Sequence, residues 1–262
     1  KTGTLTKNER RVAALWRAGG PLTVPGLGYD PQGQILSEGQ PPQPDLASDL
    51  QRLLLAAGLC NNARLLPPND SPARWTILGD PTEAALKVAA LKGGVDPDLA
   101  LARTPRLREL PFESSRKRMS TIHPDQAGRV AYVKGAPHEI LALCSGIWQA
   151  GREEDLTDQR RRQITAANDD FARRGLRVLA VACRRLPPDL PALTPEHVEQ
   201  ALTFLGLMAM MDPPRAEVSA AVDKSPRAGI GIFMIPGDYG LTAESIARRI
   251  GLIPTGCPQP RI

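Results

Sequence analysis

Two stretches, LRVLAVACRRL (176–186) and LTFLGLMAMM (202–211), carry apolar residues almost without interruption. Both are far shorter than the ~20 apolar residues of a membrane span. They read as strands of the buried type, which need cover on both faces of their sheet. The rest of the chain offers that cover. LASDLQRLLLAAGLC (46–60) sets Leu46, Leu50, Leu53, Leu54 and Ala57 on one helical face and ends near Gly58. GDPTEAALKVAALKGG (79–94) has helix signals at both ends: Asp80 to cap it, Pro81 at the first position, Glu83 to complete a capping box, Gly93 at the stop. PHEILALC (137–144) reads as a short helix after a glycine. In LTDQRRRQITAANDDFARRG (156–175), Ile164, Ala167 and Phe171 share a face and Gly175 ends the helix. LRELPFESSRKRMSTIH (107–123) and GRVAYVKGAP (128–137) hold β-rich runs broken by turn residues, as antiparallel strands do. Residues 31–46, 65–75 and 187–197 read as loops.

Beyond the second apolar strand the pattern changes. A helix follows DPPR, then the apolar run GIGIFMI (229–235), then PGD (236–238), then a helix from Thr242 to about Ile250. Strand, helix, strand, turn, helix is the order of a parallel α/β sheet. The middle of the chain is therefore expected to be α+β, and its C-terminal part a piece of a Rossmann-like sheet. Pro226 falls late in the first of these helices, where an interior proline costs ~3 kcal/mol, so a stop or kink is expected before it.

Composition narrows the function classes. The 262 residues are 42% hydrophobic and 23% charged, enough for one large domain or two smaller ones. A net charge of +5 suits an anionic partner, but aromatics are only 4% and no Lys/Arg run is long. That disfavours a stacking platform for nucleic acid. Cys60, Cys144, Cys183 and Cys257 form no CxxC pair and are expected to be free thiols in a reducing compartment. No signal peptide is visible, so the chain is expected to be soluble and cytosolic. His123 and His197 lack metal-ligand spacing and read as surface residues, and His138 falls in the first turn of a helix.

Six motifs occur in order: KTGTLT (1–6), FESSRKRMS (112–120), YVKGAPHEIL (132–141), RRGLRVLA (173–180), MDPPR (211–215) and IPGDYGLTAESIARRIG (235–251). With them the chain resembles the P-type (E1–E2) cation-transporting ATPases along essentially its whole length. LCNNA (59–63), GDPTEAAL (79–86) and LPFESSRKRMS (110–120) are similar to the type II, calcium-pump-like branch.

The resemblance implies a division of roles. The family's phosphorylated aspartate would directly precede Lys1, outside this sequence. Thr2 would contact the γ-phosphate, and its carbonyl would help hold Mg²⁺. Gly237 and Asp238 match the end of a Thr-Gly-Asp loop, with Pro236 where the family has threonine. Proline has neither a hydroxyl nor an amide hydrogen to give a phosphate, which weakens phosphate handling there. Residues 9–212 would form the nucleotide-binding domain, an antiparallel sheet flanked by helices. Residues 1–8 and 213–262 would be two pieces of an incomplete haloacid-dehalogenase-like Rossmann phosphorylation domain. Phe112 would stack on adenine, Lys117 and Lys134 would line the nucleotide pocket, and Gly135 with Ala136 would form its wall. Glu83 would sit near the base, Arg177 would reach the phosphates, and Asp212 would mark the hinge.

These residue types suit that chemistry. Adenine needs a flat apolar face, which Phe112 can supply. A polyphosphate takes point charges such as Lys134, and a glycine beside it removes a Cβ that would block the ligand. Aspartate phosphorylation is nucleophilic catalysis, with Mg²⁺ and cationic side chains offsetting the transferring charge. Plainer readings stand beside each residue: Phe112 as core packing, Glu83 as a capping-box member only, Lys117 as part of a solvated basic run, Arg177 as a surface charge, Asp212 as a helix cap.

The function expected from the resemblance has two tiers. The parent would couple ATP hydrolysis, through an aspartyl phosphate, to cation transport, with its membrane helices, its actuator domain and a later Gly-Asp-Gly-x-Asn-Asp segment outside this chain. The chain itself would lie at the cytoplasmic face of a membrane and bind ATP without turning it over. The competing classes are a non-enzymatic nucleotide-binding module and a soluble dehalogenase-like phosphatase.

Overall fold

The computed structural model describes residues 4–6, 9–26, 28–68, 74–126, 128–212, 215, 217–235 and 240–253, with backbone alone at 44–46, 227, 240–243 and 246. Its centre is a nine-stranded sheet. The two apolar runs are its middle strands, β10 (Arg177–Leu186) and β11 (Leu202–Met211), paired antiparallel. From β11 the sheet continues on one side to β1 (Arg11–Arg17) and β2 (Gly20–Thr23). From β10 it continues on the other to β7 (Gly128–Gly135), β6 (Arg118–Asp125) and β5 (Arg108–Glu113). All these pairs are antiparallel. Among the described residues the one parallel pairing joins β8 (Cys144–Gln149) to β11 at Leu202–Phe204, on the edge that β1 covers farther along; β9 (Arg152–Asp155) folds back on β8. A separate hairpin holds β3 (Arg64–Leu66) and β4 (Thr76–Leu78).

Helices cover both faces, as continuous apolar strands require. On one face α1 (Pro44–Leu59) and α2 (Pro81–Lys92) pack Leu53, Leu54 and Leu86 against Leu15 and Met208. On the other, α4 (Pro137–Leu143) and α5 (Asp158–Arg173) bring Ile140, Ile164 and Phe171 to Phe204 and Leu207. Each such side chain, when fully buried, contributes roughly 1.5–3 kcal/mol of transfer free energy. β11 serves both cores by changing parity midway. Leu202, Phe204, Leu207 and Ala209 face one core, and Leu205, Met208 and Met210 the other. The switch falls where the β10–β11 register skips a residue between Phe204 and Gly206, a bulge. Gly206 is needed at this point, since a Cβ would lie 2.6 Å from the Trp16 carbonyl and 2.8 Å from Leu53.

The expected helices and strands of residues 46–186 form close to where their signals lie. Pairs β1–β2 and β8–β9, hairpin β3–β4, α3 (Pro97–Arg103) and α6 (Pro195–Val198) add to them. Cys60, Cys144 and Cys183 are buried free thiols; Cys257 lies outside the described residues. Three expectations need correction. Helix α7 (Val218–Arg227) runs through Pro226 and ends one residue later, because in the last turn a missing N–H interrupts only the end of the ladder. The run GIGIFMI forms no strand: its backbone is irregular, and Ile230, Phe233 and Ile235 are exposed. Among the described residues no strand lies beside it to take its backbone hydrogen bonds, and an apolar pattern alone does not make a strand. α8 (Gly240–Arg249) follows, and Val218, Val222 and Ile250 make a small cluster of their own.

His123 is the third correction. It is fully buried, with Nδ1 2.9 Å from the Thr104 carbonyl and Nε2 3.0 Å from the Thr121 hydroxyl. Burial, then the nearby Arg106 charge, pull its pKa below the ordinary 6.5, against the Thr104 bond, which raises it; Tyr132 is its ring neighbour. The folded chain therefore holds this imidazole neutral at pH values where the unfolded chain, with a pKa of ~6.5, already protonates it. Stability should be full above ~pH 7 and fall as pH drops through ~6.5 and below, since the unfolded state then binds the extra proton. Urea midpoints at pH 7.5, 6.5 and 5.5 should fall in that order, and His123→Gln should flatten the trend. A trend of the same size in that variant would assign it to other groups.

The segments flanking the sheet meet at one point. Thr6, fully buried, donates its hydroxyl to Asp212 Oδ2 at 2.6 Å, and the Arg215 amide donates to the Leu5 carbonyl at 3.0 Å. Asp212 does not cap α7, whose N-cap position is Glu217.

Candidate functional site

A cavity of about 620 Å³ opens where the end of β7, the start of β10, β5 and the start of α2 come together. β7 lies between β6 and β10, with Lys134 opposite Met119 on one side and Val181 on the other. Among the residues lining the cavity are Phe112, Lys134, Gly135, Arg177 and Glu83, five of the seven residues expected to form the nucleotide pocket; Ala136, expected in its wall, does not line it. Lys1, Thr2, Pro236, Gly237 and Asp238 lie outside the described residues.

Phe112 is 61% exposed, so it is not a core residue. Its aromatic face is open on the cavity wall, where it can serve as an apolar contact surface. Met119 and Leu179 add apolar area to the lining. Arg177 at the start of β10 and Arg10 just before β1 contribute positive charge; Arg10 donates to the Thr82 hydroxyl.

Glu83 does not complete a capping box. Asp80 alone caps α2, accepting from the amides of Thr82 at 2.7 Å and Glu83 at 3.2 Å. Burial raises the Asp80 pKa, but bonds from Thr82 and from the Glu83 and Thr82 amides outweigh it and leave it below the usual carboxylate range. The Glu83 carboxylate turns instead to the cavity. Oε1 accepts from Lys134 Nζ at 2.6 Å and Oε2 from the Asn62 amide at 2.8 Å. The pair is largely buried, 7% exposed at Lys134 and 14% at Glu83. The Lys134 ammonium is therefore held within the cavity by a counter-charge.

Lys117 is not among the residues lining the cavity. Its ammonium pairs with Glu139 at 2.7 Å, and that hydrogen bond is the main reason the Glu139 carboxyl titrates below its usual range. Its backbone closes the β5–β6 turn in the left-handed region, φ 52°. The Lys117 amide donates to Glu113 O at 2.7 Å, and its carbonyl accepts from Ala136 at 3.0 Å. Gly135 is needed for that same approach: a Cβ would lie 2.5 Å from the Lys117 carbonyl and 2.9 Å from the Arg118 Cα, both backbone. Among the described residues, the neighbour that Gly135 makes room for is the protein's own turn, and Gly135 also lines the cavity.

Arg10, Asn62, Thr82 and Glu109 also line the cavity and were not singled out from the sequence. Asn62 stands within LCNNA, a signal that could have found it. Arg10 has no local signal. Among the described residues no cluster of three or more His, Cys, Asp or Glu side chains could hold a metal ion. An apolar aromatic face beside fixed cations suits a ligand with a flat ring and an anionic tail.

The sequence profile described as P-type ATPase, cytoplasmic domain N, matches residues 49–217. The chain belongs to this family. The chain is 38% identical to "Cation-transporting ATPase pma1" of Synechocystis sp., over 98% of the chain and 28% of that relative. It is 36% identical to "Probable cation-transporting ATPase F" of Mycobacterium tuberculosis, over 97% of the chain and 28% of the relative. It is 35% identical to a "Calcium-transporting ATPase" of Bacillus subtilis, with the same two coverages. The chain thus spans little more than a quarter of the length of these relatives. No helix among the described residues is long and apolar enough to cross a membrane. The cavity residues Glu83, Phe112, Lys134, Gly135 and Arg177 all fall inside the matched segment.

Proposed function

We propose that the cavity binds an adenine nucleotide, with the base on Phe112 and the phosphates toward Lys134 and Arg177. The observation that carries this reading is the exposed Phe112 ring on a cavity that is also lined by three cationic side chains, Arg10, Lys134 and Arg177. Glu83 lies near the base and holds Lys134 when no phosphate competes. Lys117, on the turn behind Phe112, can exchange Glu139 for a phosphate by rotating its exposed side chain.

The wider reading follows the relatives. Residues 9–212 are the nucleotide-binding domain, and 1–8 with 213–262 are parts of a dehalogenase-like phosphorylation domain. Thr6, Asp212 and Arg215 mark the hinge between them. The parent protein couples ATP hydrolysis to cation movement across a membrane, through an aspartate preceding Lys1, with Thr2, Gly237 and Asp238 around the phosphate. Mg²⁺, which offsets phosphate charge when bound, would be held in part by the Thr2 carbonyl. Calcium is the leading candidate for the cation, since several relatives carry that name.

Titration of the chain with ATP, followed by NMR or calorimetry, tests the reading. Saturable binding is expected. Stacking on an aromatic side chain is worth ~1–3 kcal/mol, so Phe112→Ala should weaken ATP by about tenfold or more. Because Phe112 is exposed, its thermal midpoint should stay near that of the parent chain. No saturation, or an affinity indifferent to Phe112→Ala, would sink the assignment.

A further inference from the structure

The turn behind Phe112 is anchored by a carboxylate that does not line the cavity. Glu199 follows α6, and its side chain is fully buried, at 0% exposure. Both oxygens accept from Arg116 Nη1, at 2.6 and 2.7 Å. One also accepts from the Ser120 hydroxyl and the other from Arg118 Nε, each at 2.6 Å. A buried carboxylate is tolerable only when its lone pairs are used in this way. The two arginines are themselves only 14% and 16% exposed.

Arg116 carries the restraint onward. Its Nη2 donates to the Pro111 carbonyl at 2.7 Å, and its Nε to Glu113 at 3.1 Å. Pro111 immediately precedes Phe112. Arg118 Nη1 donates to the Arg116 carbonyl at 3.0 Å, closing the turn on itself. Arg118 also stands opposite Gly135, the close approach that a Cβ would prevent. One buried charge thus fixes the backbone on both sides of the aromatic ring and the start of β6. An apolar residue of similar size would fill the space at lower desolvation cost, but it would not set where the Pro111 carbonyl lies.

We propose that Glu199 is a positioning residue for nucleotide binding, holding the Phe112 platform in place through Arg116 and the Pro111 carbonyl. The proposal rests on the reading of the cavity as an adenine-nucleotide site. Its signature is base-side: displacement of the platform costs every adenine nucleotide alike, whatever its phosphate count.

The test uses the full chain with Glu199→Gln, Arg116→Lys and Phe112→Ala, titrated with AMP and with ATP, each variant melted in parallel. Glu199→Gln keeps the shape but turns one acceptor into a donor facing an arginine. Arg116→Lys keeps the charge but cannot reach Glu199 and Pro111 together. Both variants should melt cooperatively at a lower midpoint, and both should lose about tenfold in affinity for AMP and for ATP by the same factor. If Glu199→Gln does not fold, Arg116→Lys decides alone. Unchanged affinities, or a loss confined to ATP, overturn the proposal while Phe112→Ala still supports the nucleotide site. A parent chain that binds neither AMP nor ATP overturns the nucleotide reading, and this proposal with it.

Discussion

Lys134→Ala is expected to weaken ATP binding by about one to two orders of magnitude and to lower stability as well. The first effect follows from the loss of a charge-assisted hydrogen bond to phosphate, worth ~1.5–3 kcal/mol. The second follows from Glu83. With Lys134 gone, a carboxylate only 14% exposed keeps the Asn62 amide but loses its cation. Removing one partner of a fully buried pair costs ~3–5 kcal/mol. The residual exposure and the retained amide should bring this case to ~1–3 kcal/mol. That orphaned charge would also repel incoming phosphate, so the binding loss should exceed that of Phe112→Ala. The two effects separate in a double variant. Adding Glu83→Gln to Lys134→Ala should recover much of the stability but leave ATP binding weak. Calorimetry with ATP and thermal melts on the three proteins would show this. ATP affinity unaltered in Lys134→Ala would remove the residue from the site.

Asp49→Ala should be the most damaging single change to the fold outside the apolar core, at ~3–5 kcal/mol. Asp49, on α1, is 5% exposed. It accepts from the Trp148 indole at 3.0 Å and from the amides of Ala150 at 2.8 Å and Gly151 at 2.9 Å. It thereby ties the β8–β9 turn, where Ala150 sits at φ 51°, to a helix about a hundred residues earlier. It also lies 3.8 Å from Arg17 Nη1, a guanidinium 2% exposed whose Nε has no partner among the described residues and whose pKa burial lowers despite that carboxylate. Alanine would leave a buried cation without its counter-charge and three donors without an acceptor. Urea unfolding followed by tryptophan fluorescence should show a lower midpoint at unchanged slope. A loss below ~1 kcal/mol would mean that Arg17 and the turn find other acceptors.

Local features were legible in the sequence. Leu50, Leu53, Leu54 and Ala57 are buried along α1 as their spacing requires, and α2 begins and ends at its cap signals. The two apolar runs became the central strands. These signals act over a few residues, so they survive in any arrangement of the rest. Signals that depended on a distant partner failed or were silent. GIGIFMI has the composition of a strand and, among the described residues, no neighbour to pair with. His123 has the spacing of a surface residue, yet the loop at Thr104 closes over it.

The candidate site shows the same division. By itself the sequence determined which residue types stand at 83, 112, 134, 135 and 177, and, through ordered motifs, the family. Only the tertiary structure decided how they are used. Glu83 and Lys134 are 51 residues apart in the chain, and Arg116 and Glu199 are 83 apart. A capping glutamate and a cavity glutamate have the same local sequence. What separates them is whether a cation arrives from another strand, and that is settled by sheet register and burial, which no local pattern encodes.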